Sequence, residues 1–211
     1  ARLREYKKRF ARERRTQLAD VRAKAYVEEV KVEDIFVCID RFGYMKAMDE
    51  SAFTRASDEA KQEYPHILKM KNTDKICLFT NQGNMFQIKA DKLPKCKIKD
   101  KGALVHTFCR MSNDEEALLY TTFEDLFESM LLFASKGGYI KLVSGAGFET
   151  NRSQIAATKL EAGDEVCGVT VLTAADVLAG TKKVILLTEK GLSLGFPICE
   201  VSELKKTSRG V

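Results

Sequence analysis

The residues of this 211-residue chain best equipped for chemistry are lysines. Lys92, Lys95, Lys97, Lys99 and Lys101 crowd one short stretch, and from 95 to 101 they occupy every second position. Cations at this density meet the phosphates of a polyanion by charge. The alternation Lys95-Cys96-Lys97-Ile98-Lys99 also fits an edge strand whose charges deter pairing with a second sheet, and both readings stay open. Equivalent places farther along carry Arg152 and Lys159, then Lys205, Lys206 and Arg209. Lys46 and Lys141, each ending one copy of a recurring phrase, are further candidates. Arg55 and Lys61 are weaker, because Asp58, Glu59 and Glu63 lie among them.

Other chemistries find little support. The six cysteines form no C-x-x-C pair, and the histidines are His66 and His106. Zinc wants closely spaced ligand pairs. The expectation is therefore reduced thiols, with Cys38, Cys77 and Cys167 packing as small hydrophobes inside strands. Paired carboxylates with a plausible base or metal, and a glycine-rich phosphate loop, are both missing, and no nucleophile is assigned. No apolar run approaches the length of a bilayer span, and no signal peptide is evident. A cytosolic protein is expected, with the chain an excised piece of something longer.

Charge is uneven along the chain. Residues 1–24 hold ten Lys/Arg against three acids, +7 of a whole-chain +5, which leaves −2 for residues 25–211. A polyanion would therefore be met by local patches and not by a general field.

The elements that must place these patches are repeated. Leu131-Leu132-Phe133-Ala134-Ser135-Lys136-Gly137-Gly138-Tyr139-Ile140-Lys141 is echoed by Arg41-Phe42-Gly43-Tyr44-Met45-Lys46, by Thr80-Asn81-Gln82-Gly83-Asn84-Met85-Phe86 and by Thr188-Glu189-Lys190-Gly191-Leu192-Ser193-Leu194. A recurring unit of this size marks an array of like modules. Three residues before each aligned glycine stands Asp40, Thr80, Ser135 or Thr188, and before those an apolar run. Apolar run, polar turn with glycine and second run together predict a hairpin. The first strand, apolar on both faces, should be buried on both sides. In the third unit Arg152 to Leu160, the Gly163-Asp164 turn and Val166 to Val169 read as two further strands, completing a four-stranded blade. Such sheets repeated radially suit a propeller-like array, whose blades must stack to be stable. At the front, Leu3, Tyr6, Phe10 and Leu18 share one helical face. A helix is predicted over at least Arg2 to Arg14, either a solvated link between domains or a nucleic-acid contact, and Ala23 to Glu29 reads as a linker. Asp114-Glu115-Glu116 with Glu124, Asp125 and Glu128 is expected to be a solvated insertion, although Phe123 to Glu128 could be a helical turn packed on a blade.

These phrases resemble the repeat of the C-terminal domain of the A subunit of bacterial type IIA topoisomerases, the family of DNA gyrase and topoisomerase IV. Asn151 to Leu160 followed by Gly163-Asp164-Glu165-Val166 is similar to the family's second half-repeat. Lys206-Thr207-Ser208-Arg209-Gly210-Val211 is similar to the start of the next. Phe10-Ala11-Arg12-Glu13-Arg14-Arg15-Thr16 resembles the stretch joining cleavage core to C-terminal domain, with Ala11 and Arg12 in place of its Gly-Asp. The resemblance implies an all-β fold, a β-pinwheel of blades that exchange strands, preceded by a short N-terminal helix. It implies a connector over residues 1–30 and about four repeats over 31–211, the last incomplete. It also implies duplex DNA as partner, held for ATP-dependent strand passage, and a B subunit engaged through the full-length A subunit in the cytoplasm, on the nucleoid. No cofactor is implied for these residues, since ATP and Mg2+ serve elsewhere in the holoenzyme, and the catalytic tyrosine lies upstream.

Gyrases carry a basic, glycine-rich heptapeptide in a first-blade loop that wraps DNA. The corresponding stretch here, Phe53 to Tyr64, has no glycine, two basic residues and three acids. The resemblance therefore leans toward topoisomerase IV, with a wrapping gyrase domain as the alternative. A protein-interaction platform of the same architecture remains a second reading.

Overall fold

The computed structural model describes residues 2–13 and 31–211. Two compact units are distinguished, Ala1–Lys31 and Val32–Val211. In the first, helix α1 spans Arg2–Phe10, shorter than the predicted Arg2 to Arg14, and Tyr6 stacks on Phe10 with ring centroids 6.0 Å apart. Arg14, the rest of the connector motif, Leu18 and the linker Ala23 to Glu29 lie outside the described residues.

The second unit is built on four hairpins. β1 (Asp34–Ile39) and β2 (Tyr44–Asp49) form the first, followed by α2 (Glu50–Arg55), α3 (Ser57–Glu63) and β3 (His66–Lys71). β4 (Lys75–Thr80) and β5 (Asn84–Lys89) form the second, followed by β6 (Ala103–Leu104), β7 (Ala117–Thr122) and α4 (Phe123–Phe127). β8 (Ser129–Ser135) and β9 (Ile140–Ser144) form the third, followed by β10 (Gln154–Ala156), β11 (Val166–Thr173) and α5 (Ala174–Ala179). β12 (Lys183–Leu187) and β13 (Ser193–Pro197) form the fourth.

Each hairpin turns as predicted. Gly43, Gly83, Gly138 and Gly191 have φ of 82°, 74°, 85° and 77°. Their amides donate to the carbonyls of Asp40, Thr80, Ser135 and Thr188 at 2.9–3.1 Å. A side-chain-bearing residue at such φ is strained, which explains the recurring glycine.

The blades are not contiguous in sequence. The sheet orders are β3-β1-β2-β6, β10-β5-β4-β7, β11-β8-β9 and β12-β13. β10 pairs back with β5, Ile155 opposite Met85, while β11 pairs with β8, Val169 opposite Phe133. The two strands read from sequence as one unit's second half therefore belong to different blades. The turn at Gly163 carries the chain from the open edge of β5 to the open edge of β8, so one short strand-turn-strand completes two sheets and ties them together.

Strand alternation explains the doubly apolar runs. Val37 faces a core shared with Leu78 and Phe86. Phe79 faces the next, with Leu131 and Phe133. Leu142 and Leu172 meet Val184 and Ile198 in a third. The other face of the first blade, bearing Cys38 and Met48, is covered by Phe53, Ala60 and Tyr64 from the α2–α3 pair, with Phe36 and Phe53 stacked at 3.9 Å. Phe53 to Tyr64 is thus a helical cover and not an open loop.

Three expectations change. Cys38 and Cys77 are buried, but Cys167 is exposed, because the register of β11 shifts between Val166 and Gly168 and leaves Cys167 as the extra residue of a bulge. In the fourth hairpin Ile185 and Leu187 are 66% and 76% exposed, since among the described residues its sheet has two strands. The acidic segment is not wholly solvated: Glu115 is buried and accepts hydrogen bonds from the Thr80 hydroxyl and from Asn84 Nδ2. Phe123 to Phe127 is a helix, capped by the Thr122 side chain and anchored by buried Leu126.

Candidate nucleic-acid interface

Three loops occupy the same edge of successive blades. In the first, Pro94 to Cys96 runs beside β2, the Ala47 amide donating to Pro94 O and the Cys96 amide to Ala47 O, both at 3.0 Å. The chain then folds over and returns as β6 against Tyr44 and Met45. The third blade repeats this path. Leu142 N–H donates to Ser202 O at 3.0 Å, Leu204 N–H to Leu142 O at 2.8 Å, and Val211 returns to exchange two bonds with Ile140. In the second blade the chain does not fold over: Gln87 N–H donates to Ser153 O at 2.9 Å and the chain continues straight into β10.

The predicted cations ride on these loops. Lys92, Lys95, Lys97, Lys99, Lys101, Arg152, Lys159, Lys205 and Arg209 are exposed, and Lys206 is half-buried. Folding brings loops together that are distant in sequence. Lys92 shares a cleft with Ser153 and Gln154, next to Arg152, and Lys159 shares another with Arg209. The first cleft also holds His106 and Arg110, which isolated positions in the sequence did not single out.

The loop cations are unequally free. Lys95 lies 3.4 Å from Asp49 and 3.5 Å from Glu33, and Asp49 foremost holds its pKa above the usual lysine value. Arg209 pairs with Glu161 and its guanidinium lies 4.5 Å from the Tyr139 ring centroid. Lys101 sits over Tyr44 at 5.9 Å. Such exposed pairs are weak.

Lys46 and Lys141 do not belong to this surface. They are 0% and 1% exposed. Lys46 Nζ has four acceptors within reach of its three N–H groups: Tyr64 Oη at 2.7 Å, Lys97 O at 3.1 Å, Ile98 O at 2.5 Å and Asp100 O at 2.8 Å. Lys141 Nζ donates to Lys205 O at 3.4 Å, Lys206 O at 3.2 Å and Ser208 O at 2.6 Å. Burial pushes the Lys141 ammonium down to about 8 and lowers that of Lys46 as well. The reading of both as phosphate contacts is corrected: β2 and β9 are covered on both faces, so a lysine on either strand must point inward. The apolar neighbours Met45, Ala47 and Met48, and Ile140, Leu142 and Val143, were the available signal.

Among the described residues no three His, Cys, Asp or Glu side chains gather as a metal site. No described helix is long and apolar enough to cross a membrane.

Stacked blades that exchange strands and carry basic loops along a common edge define a propeller-type domain of the pinwheel kind. The family model for the DNA gyrase C-terminal domain, beta-propeller, matches residues 74–102, 129–173 and 182–211. The chain belongs to that family, the C-terminal domains of the A subunits of type IIA topoisomerases. It is 27% identical to the gyrase A protein of Helicobacter pylori (strain ATCC 700392 / 26695) over 220 residues, covering 98% of this chain and 26% of the relative. It is 24% identical to the A protein of DNA topoisomerase 4 from Bacillus subtilis (strain 168) over 225 residues, covering 99% and 27%. The chain thus spans about a quarter of the length of these curated relatives. A solved C-terminal domain of DNA topoisomerase IV superposes with a TM-score of 0.74 at 25% identity, covering 86% of this chain and 57% of that one.

Proposed function

We propose that this chain binds duplex DNA along the basic loops and presents it, within the A subunit of a type IIA topoisomerase, for ATP-dependent strand passage. The observation that carries the reading is the placement of Lys97, Lys99 and Lys101, Arg152 and Lys159, and Lys205, Lys206 and Arg209 on the equivalent edge of three successive blades. The lysines reach phosphates and read no bases, so binding is salt-sensitive and nearly indifferent to sequence. The catalytic tyrosine, the Mg2+ and the ATPase of the B subunit lie outside these residues, and the holoenzyme works in the cytoplasm on the nucleoid.

The domain is topoisomerase IV-like, contacting or bending DNA without strong wrapping. The stretch that would hold a basic wrapping box is instead the α2–α3 cover, with Asp58, Glu59 and Glu63 on α3. Filter binding to linear duplexes of two unrelated sequences tests the first proposal. Affinity should fall by about tenfold or more between 50 and 200 mM salt, as several phosphate contacts require. Changing Lys95, Lys97, Lys99 and Lys101 to Glu should remove most of it. Unaltered affinity in that variant would favour a protein-binding platform, and gyrase-like positive writhe in a topology assay would overturn the subtype.

A further inference from the structure

Two of the three basic loops are folded around a buried ammonium group, and the third is not. Lys46 and Lys141 each stand three residues after the hairpin glycine, and the same place in the second blade is Phe86. The difference extends to the partner segments. Where the lysine is present, the loop doubles back and contains a glycine, Gly102 or Gly210, one residue before the point where the chain rejoins the blade at Ala103 or Val211. A Cβ at Gly102 would stand 2.4 Å from Met45 O, and Gly102 has φ 78°. A tyrosine follows each of these hairpin glycines, and a loop cation lies over it: Lys101 over Tyr44, Arg209 over Tyr139. In the second blade Asn84 replaces the tyrosine, Gln154 faces Phe86, and the incoming chain is straight. Lysine, tyrosine and glycine therefore occur together where the loop is folded over, and are replaced together where it is not.

We infer that Lys46 and Lys141 are positioning residues for DNA binding. Each draws loop carbonyls inward around its ammonium, so that the alternating side chains of Lys97, Lys99 and Lys101, or of Lys205 and Arg209, are turned to solvent. Carbonyls of Lys97, Ile98 and Asp100 converge on one nitrogen, and those of Lys205, Lys206 and Ser208 on the other. A lysine has three donors, and Lys141 has three carbonyl acceptors here. Lys46 has its three loop carbonyls and the Tyr64 hydroxyl, and an ammonium is buried only when so compensated. The inference rests on the DNA-binding reading above, but the loop geometry can be tested apart from it.

The test compares Lys46→Met and Lys141→Met with Lys99→Gln and Lys205→Gln in the 211-residue chain. Amide hydrogen exchange and duplex affinity are both measured at a temperature where every variant is folded. Lys141→Met should speed exchange in residues 204–210 and leave residues 97–102 unchanged, and Lys46→Met should do the reverse. Each should weaken duplex binding by about threefold to tenfold, at least as much as losing one exposed lysine, although no exposed cation is removed. A lysine that only stabilised its blade would lower the melting temperature and leave the affinity of the folded protein unchanged, and that result overturns the inference. Should a methionine variant fail to fold, Gly102→Ala displaces the loop and keeps every cation. It should lower affinity to the same degree, and wild-type affinity in it would equally end the proposal. If Lys99→Gln and Lys205→Gln bind like the parent, or the parent does not bind, the DNA-binding reading fails, while the exchange pattern still decides whether the lysines hold the loops.

Discussion

At the scale of the residue, environment and not identity separates the lysines. Lys46, Lys95 and Lys99 are chemically the same, yet the first is sealed inside the blade, the second is paired with Asp49 and Glu33, and the third is exposed. Phosphate must compete with two carboxylates at Lys95, whereas Lys99 makes no ion pair among the described residues. Lys99→Ala should therefore weaken duplex binding more than Lys95→Ala, by a factor of about two to three at low salt, the gap closing as salt rises. Equal losses in a salt titration of the two variants would show that the carboxylates do not occupy Lys95. The sequence showed the lysine cluster but not this ranking, because Glu33 and Asp49 are remote from Lys95 along the chain.

At the scale of the element, the α2–α3 pair shows how one segment answers a packing need. The second and third hairpins bury both faces in cores shared with neighbouring blades, and the first blade's free face takes Phe53, Ala60 and Tyr64 instead. Tyr64 also places its hydroxyl on Lys46, so the cover and the basic loop share one buried contact. Truncating Phe53 to Ala removes the ring stacked on Phe36 and should cost about 3 kcal/mol of stability. Arg55→Ala, on the exposed side of α2, should change stability by about 0.5 kcal/mol or less. Urea denaturation of the two variants measures the difference, and similar midpoints would mean the helices do not bury the blade. The hairpins were legible because a glycine at positive φ leaves a mark in sequence. The helices were not, since Phe53 to Tyr64 is short and its apolar residues have meaning only against Cys38 and Met48.

At the scale of the whole molecule, burial gives the protein an alkaline limit. The thiols of Cys38 and Cys109 are pushed up to about 11 and that of Cys77 to about 12. Burial likewise raises the phenols of Tyr64 and Tyr120 to about 12. Each group keeps its proton longer folded than unfolded, so these groups reduce stability as pH rises from about 9, where the unfolded thiols ionise, through 11 and 12. Lys141 has the opposite sign. Its lowered pKa of about 8 means that the folded state loses this proton first, so its contribution rises between about pH 8 and the ordinary value of 10.5. Urea midpoints should thus hold or rise slightly to about pH 9 and then fall. Cys77→Ala should blunt the fall and Lys141→Met should abolish the early rise. A midpoint that drops steadily from pH 7 would contradict this balance.

The sequence by itself determined the hairpins, their number, the apolar character of both faces and the family, because all of these follow from local periodicity and from glycine at turns. It also pointed to the loops that carry Lys97, Lys99 and Lys101, Arg152 and Lys159, and Lys205 and Arg209. Only the tertiary structure decided which blade each outer strand joins, since a strand's own residues do not show which open edge receives it. It likewise decided that Lys46 and Lys141 face inward while Lys97, Lys99 and Lys101 face water. A lysine's direction depends on what covers its strand, and for Lys46 that cover arrives from Tyr64 and from residues 97–100, which no local pattern brings together.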